Sequence, residues 1–204
     1  MVVIVRSMET STSPDAPADT RPRAVVLVEG PSDRLALEVL ARRRGRDLER
    51  ERIEVVAMGG ATNIGHYLDR YGPRGLGVKV AGLYDSAEER FFRQGLARAG
   101  LGAQSSHTAL AEFGFFVCTA DLEDELIRAV GAGRVEQLVE AEGQLASFRR
   151  LQRQPAQRER SLHDQLRRLM SGRSGGKYRY SAVMAQAVDL DHVPYPLDAV
   201  LDYV

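Results

Sequence analysis

The sequence predicts an α/β fold: a mainly parallel four-stranded sheet flanked by helices, with a helical C-terminal extension. Three observations predict it. Four short apolar runs are each followed by a helix-like segment, the β-then-α alternation that builds parallel sheets. The first run, Val25-Val26-Leu27-Val28, is apolar without interruption, as in a strand covered on both faces. After Gly133 the strand-like runs stop, and apolar residues recur at helical spacing only.

Residues 9–22 are a Ser/Thr/Pro/Ala tract without apolar periodicity, so 1–22 reads as a disordered leader. The first strand, 24–28, runs into Glu29-Gly30-Pro31-Ser32, a turn with a helix N-cap, and a helix at about 32–44. A second strand at 53–57 precedes Met58-Gly59-Gly60-Ala61 and a helix at about 62–71. The third strand, 78–84, leads to Asp85 and a helix at about 87–99. The fourth, 113–118, leads to Asp121 and a helix at about 121–131. These units form one α/β domain at 23–133. Residues 134–204 read as a helical extension packed on it, broken near Pro155 and at 171–176, with a last short helix after Pro194-Tyr195-Pro196.

Bulk properties narrow the function. The 204 residues carry a formal net charge of zero, which gives no global basic signal for nucleic acid. Arginine is abundant in the last third, where 149–168 reads mainly as a solvated helix face, while Lys79 and Lys177 are the only lysines. A single cysteine, Cys118, excludes an intrachain disulfide and a multi-cysteine zinc site, and its apolar setting makes it a core thiol. His66, His107, His163 and His192 lack metal-ligand spacing. No apolar run approaches a membrane span and no signal pattern opens the chain, so a cytoplasmic location without membrane contact is expected.

The acids at the strand ends carry the chemistry. Glu29 follows the first strand, Asp85 the third, and Asp121 with Glu123 the fourth. In a parallel sheet these ends lie on one edge, where open α/β sheets bind ligands. A carboxylate at the end of a buried strand is costly without a partner or a cation. Asp33, four residues after Glu29, joins it from the first helical turn, a position the helix dipole also favours. Glu88 and Glu89 lie within a turn of Asp85 and can add ligands. A helix cap is the competing explanation for Asp121. Hard oxygen donors in this arrangement suit Mg²⁺ or Mn²⁺.

These motifs resemble the toprim domain shared by primases, topoisomerases and the nucleases of the OLD (overcoming lysogenization defect) family. The resemblance rests on Glu29-Gly30-Pro31-Ser32-Asp33, Asp85, the run Asp121-Leu122-Glu123-Asp124-Glu125-Leu126, and Gly176-Lys177 before a small-residue helix. It covers roughly 24–131 and 172–202 and implies a toprim-like, Rossmann-type sheet domain. It also implies that Glu29, Asp33, Asp85 and Glu123 hold a divalent metal for phosphodiester chemistry. Lys177 would then neutralise transition-state charge. The family's second motif is usually Asp-x-Asp, whereas this chain has Asp85-Ser86-Ala87, so Glu88 or Glu89 must substitute or one metal position weakens. OLD-type proteins usually carry an ATPase domain ahead of the toprim domain. The leader here is too short for one and no phosphate-loop motif is present, which implies a separate ATPase partner.

The expected function is a Mg²⁺- or Mn²⁺-dependent nuclease or nucleotidyl transferase acting on nucleic acid, DNA before RNA. Glu29 and Lys177 are the expected catalytic residues, and Gly59, Gly60, Arg173 and Arg179 the expected phosphate contacts. Two other readings stay open: a toprim-like binding module with little catalysis, motivated by Ala87, and a small phosphate-ester hydrolase, motivated by the zero net charge.

Overall fold

The computed structural model describes residues 21–101, 107–172 and 176–204, with backbone only at 107 and 108. All but the last two residues of the expected leader, and Arg173, lie outside the described residues.

Strands β1 (Ala24–Val28), β2 (Ile53–Ala57), β3 (Lys79–Asp85) and β4 (Phe115–Cys118) form one parallel sheet in the order β2-β1-β3-β4. Every residue of β1 is fully buried, as its uninterrupted apolar run requires in a central parallel strand. Helix α1 (Pro31–Arg43) follows β1, α2 (Ile64–Tyr71) follows β2 and α3 (Glu89–Ala99) follows β3. A short helix α4 (His107–Glu112) precedes β4, and α5 (Leu122–Val130) follows it. The extension contributes α6 (Ala132–Ala141), α7 (Leu145–Gln152), α8 (Leu162–Ser171), α9 (Gly176–Ala187) and α10 (Tyr195–Tyr203).

Strand alternation assigns the two faces. Val25, Leu27, Val80, Tyr84 and Phe115 pack with α2 and α3. Val26, Val28, Ala81 and Leu83 pack with α1, α5 and the extension. Val135, Val139, Phe148, Leu166, Met170 and Met184 join that second core; α9 packs on α1 and α5, and α10 lies against β3 and β4. Asp85, two residues beyond Leu83, points to the same side.

Arginines at the end of α1 fasten the extension. Arg43 donates to the carbonyls of Ala185 and Val188 at 2.8 and 2.7 Å, closing the C-terminus of α9. Arg44 pairs with Asp198 at 3.0 Å and Asp202 at 2.5 Å on α10. Arg46 pairs with Glu51 and donates to the Leu201 carbonyl.

Two elements differ from expectation. Residues 107–112 form α4, too short to show a helical period in sequence. Strand β4 starts at Phe115 because Gly114 turns the chain with φ +83°, and a Cβ there would meet the Tyr203 ring at 2.4 Å.

Candidate active site

The carboxyl ends of β1, β3 and β4 meet the N-termini of α1, α5 and α9 around a cleft of about 390 Å³. Glu29, Asp33, Asp85, Asp121, Glu123 and Lys177 line it, with Ser171 and the half-exposed Tyr178 at its rim.

The backbone of Glu29 is fixed by the turn after β2. Its carbonyl accepts from the Gly59 and Gly60 amides at 2.9 and 3.1 Å, and Met58 N–H continues the ladder onto Val28. Both glycines have positive φ, +73° and +125°, which a side chain would resist. This corrects the phosphate cradle expected at Gly59 and Gly60. The two amides are committed to the protein's own backbone, so they shape the site and are not open to a phosphate.

Asp33 accepts from the Gly30 amide at 2.8 Å, so it caps α1 while facing the cleft. Burial pushes its carboxyl up to about 6; the Gly30 hydrogen bond works against this, and Glu123 and Glu29 add to it. Asp85 is pushed up to about 7, first by burial and then by Glu29, Asp33 and Asp121. Glu29 is also raised, by burial and then by Glu88. In all three, Lys177 pulls the other way.

Glu123 is buried to 3 % exposure on the first turn of α5. One oxygen, Oε2, takes the Lys177 Nζ at 3.0 Å, and the other, Oε1, is buried without a hydrogen-bond partner among the described residues. Burial opposes the Lys177 ammonium, but Glu123, Asp121 and Asp33 outweigh it and raise its pKa. Lys177 thus sits in the cleft as a charged amine.

The other expected ligands divide. Glu88 does not line the cleft, though its charge raises Glu29. Glu89 turns to Arg93 at 3.6 Å and toward Tyr84 on the opposite face. Asp121 caps α5 through the Asp124 amide at 2.8 Å and pairs with Arg167 at 2.5 Å, so both its oxygens are engaged. Arg179 is exposed on α9 and does not line the cleft.

A supporting layer under α5 ties the acidic run to α8. Asp124 accepts from His163 at 2.7 Å and from Arg128 at 2.9 Å, and Glu125 accepts from the Thr119 amide at 2.7 Å. His163 is therefore a strut between α8 and α5, and only the fold brings it there. Cys118 is a free, buried thiol whose pKa burial pushes well up.

Among the described residues, no three His, Cys, Asp or Glu side chains stand in a ready-made coordination shell. The donor set nonetheless fits a hard divalent cation. It offers carboxylate oxygens only, burial and mutual repulsion hold three of them above their usual range, and Glu123 Oε1 has no hydrogen-bond partner among the described residues. A cation would relieve each of these costs.

Known proteins are similar to this chain in sequence and in fold. Residues 22–86 match the family model of the overcoming lysogenization defect protein-like TOPRIM domain, a span that holds Glu29, Asp33 and Asp85. The fold is similar to the C-terminal region of the Xanthomonas campestris pv. campestris OLD protein, at 24 % identity over 90 % of this chain and 92 % of that one, TM-score 0.69. It is also similar to the C-terminal region of the Burkholderia pseudomallei OLD protein, at 22 % identity over 89 % and 96 %, TM-score 0.63. No curated protein matches the chain. Residues 22–86 are an OLD-like TOPRIM domain, set in a chain with the fold of OLD C-terminal regions.

Proposed function

We propose that the chain is a divalent-metal-dependent nuclease that cleaves phosphodiester bonds of nucleic acid, DNA before RNA. One observation carries the reading: carboxylates from three separate strand ends share one cleft with a charged lysine. TOPRIM domains of the OLD family point generally to metal-dependent action on nucleic acid, and no helix among the described residues is long and apolar enough to cross a membrane.

Glu29, Asp33, Asp85 and Glu123 would hold Mg²⁺ or Mn²⁺, with Glu88 within reach of the same charge cluster. A divalent ion there supplies an activated water and charge stabilisation for the leaving oxygen. The chain's own groups do the rest. Asp33 and the glycine amides fix the ends of α1 and β1, so Glu29 is presented on a rigid turn. Lys177 places a point charge beside the acids, where it lowers the pKa of Glu29, Asp33 and Asp85 and faces negative charge that builds on a phosphoryl group.

The test is nicking of supercoiled plasmid by the purified chain. Nicking is expected with Mn²⁺ and is expected to vanish on chelation. Lys177→Ala should lower turnover by ~10²-fold, as for a lost transition-state charge contact. It should also move the acid limb of the pH–rate profile upward, because the carboxylates lose the charge that depresses them. An unchanged rate and profile would remove Lys177 from the mechanism.

A second reading is favoured by Ala87, exposed on the turn after β3 where the family pattern has an acid. In it the cleft binds nucleic acid with little catalysis. Ala87→Asp separates the two: cleavage that appears only in the variant supports the binding module, and efficient cleavage by the unaltered chain excludes it.

A further inference from the structure

Beside the acidic cleft lies a smaller pocket of about 190 Å³, lined by Arg160, Arg167 and Arg168 together with Asp164. The two cavities share Asp121, Glu123, Ser171 and Lys177, so they are continuous. Two arginines near the site are spent on the fold. Arg167 is paired with Asp121, and Arg128 with Asp124 and Glu125. Asp164 accepts from the Ser161 hydroxyl at 2.7 Å. Arg160 and Arg168 are different: both are exposed, and among the described residues neither has a carboxylate within ion-pair distance. Asp164, Arg168 and Ser171 follow one another at helical spacing on α8, so the pocket has a rigid wall.

The acidic cleft alone repels a polyanion. A strand can lie across it only if cationic groups beside it hold its phosphates. We propose that this pocket seats a phosphate of a nucleic-acid strand that crosses the acidic cleft, with Arg160 and Arg168 as its direct contacts. The inference rests on the nuclease reading for the strand's path, but its test reads binding and not cleavage. Two guanidiniums that no described carboxylate engages suit a phosphodiester oxygen pair, and the paired Arg167 and Lys177 add charge behind them.

The experiment measures binding of the full chain to a short fluorescein-labelled DNA duplex by anisotropy, with Ca²⁺ present, from ~50 to ~200 mM salt. Arg160→Ala/Arg168→Ala should weaken binding ~10-fold at the low end and flatten the log–log salt slope by up to ~1.8, two phosphate contacts' worth. Arg160→Lys/Arg168→Lys should restore the slope, because it keeps the charge. Arg150→Ala/Arg153→Ala, an equal charge loss at the end of α7, should leave it unchanged. A slope in the Arg160/Arg168 alanine variant equal to the unaltered chain's overturns the proposal, as does failure of the unaltered chain to bind at all. Absence of Mn²⁺-dependent nicking alongside the expected slope change would sink the nuclease reading and keep the phosphate seat, as part of a binding module.

Discussion

Glu29→Ala is expected to reduce Mn²⁺-dependent plasmid nicking by ~10³-fold or more, the several kcal/mol of charge stabilisation that a correctly held metal contributes. The substitution is clean by construction. What ties residue 29 to the sheet is its carbonyl, which accepts from Gly59 and Gly60, and alanine keeps that carbonyl. Among the described residues the side chain that disappears makes no hydrogen bond or ion pair: it sits in the cleft, with its charge opposed by Glu88, Glu123 and Asp121 and favoured by Lys177. A far-ultraviolet spectrum and melting curve close to those of the unaltered chain should therefore accompany the loss. Nicking that continues at full rate in Glu29→Ala removes the cleft from the reaction.

Asp85→Asn should act on stability in two opposite directions. The folded chain keeps a proton on Asp85 up to about pH 7, whereas the unfolded chain releases it near 3.8. The native state thus binds more protons across that window, and its stability falls as pH rises through it. At about pH 8 the buried charge is a net cost, which asparagine removes. Discounted for partial exposure, the gain is about 2 kcal/mol, or ~4–8 °C in melting temperature for a chain of this size. Mn²⁺ should reverse the ranking. It should raise the melting temperature of the unaltered chain at about pH 8, with ~3 kcal/mol of stabilisation at a hundredfold excess over Kd. The rise should shrink at about pH 5, where Asp85 and Asp33 are protonated, and it should be largely absent in Asp85→Asn. A metal-free Asp85→Asn protein that melts below the unaltered chain contradicts the assignment of Asp85 as an unrelieved buried acid.

The sheet was legible because its signals are local. Uninterrupted apolar runs mark β1 and β4 as buried parallel strands, and Glu29 and Asp85 stand at strand ends, where topology alone brings them to one edge. Other features depend on residues far apart in the chain. Lys177 meets Glu123 across 54 positions, and Arg43 reaches Val188 across 145, through side chains whose targets no periodicity reveals. His163 looked like one of four scattered histidines, yet it braces Asp124 on α5. Gly59 and Gly60 depart from the expected phosphate contact for a physical reason. A glycine pair before a helix has the same sequence whether its amides face a ligand or a neighbouring strand, and here they face the Glu29 carbonyl. Asp121 carried two meanings at once, helix cap and cleft acid, and the structure gives it the cap together with a partner in Arg167.

The most direct test of the central claim is an anomalous difference map from crystals of the chain soaked in Mn²⁺ at about pH 8, above the raised carboxyl values that oppose binding. A peak is expected in the cleft, ligated by Glu29 and Asp85, with Asp33 or Glu123 completing the carboxylate set. A map with no peak in this cleft at saturating Mn²⁺, and Glu123 still held by Lys177 alone, would contradict it.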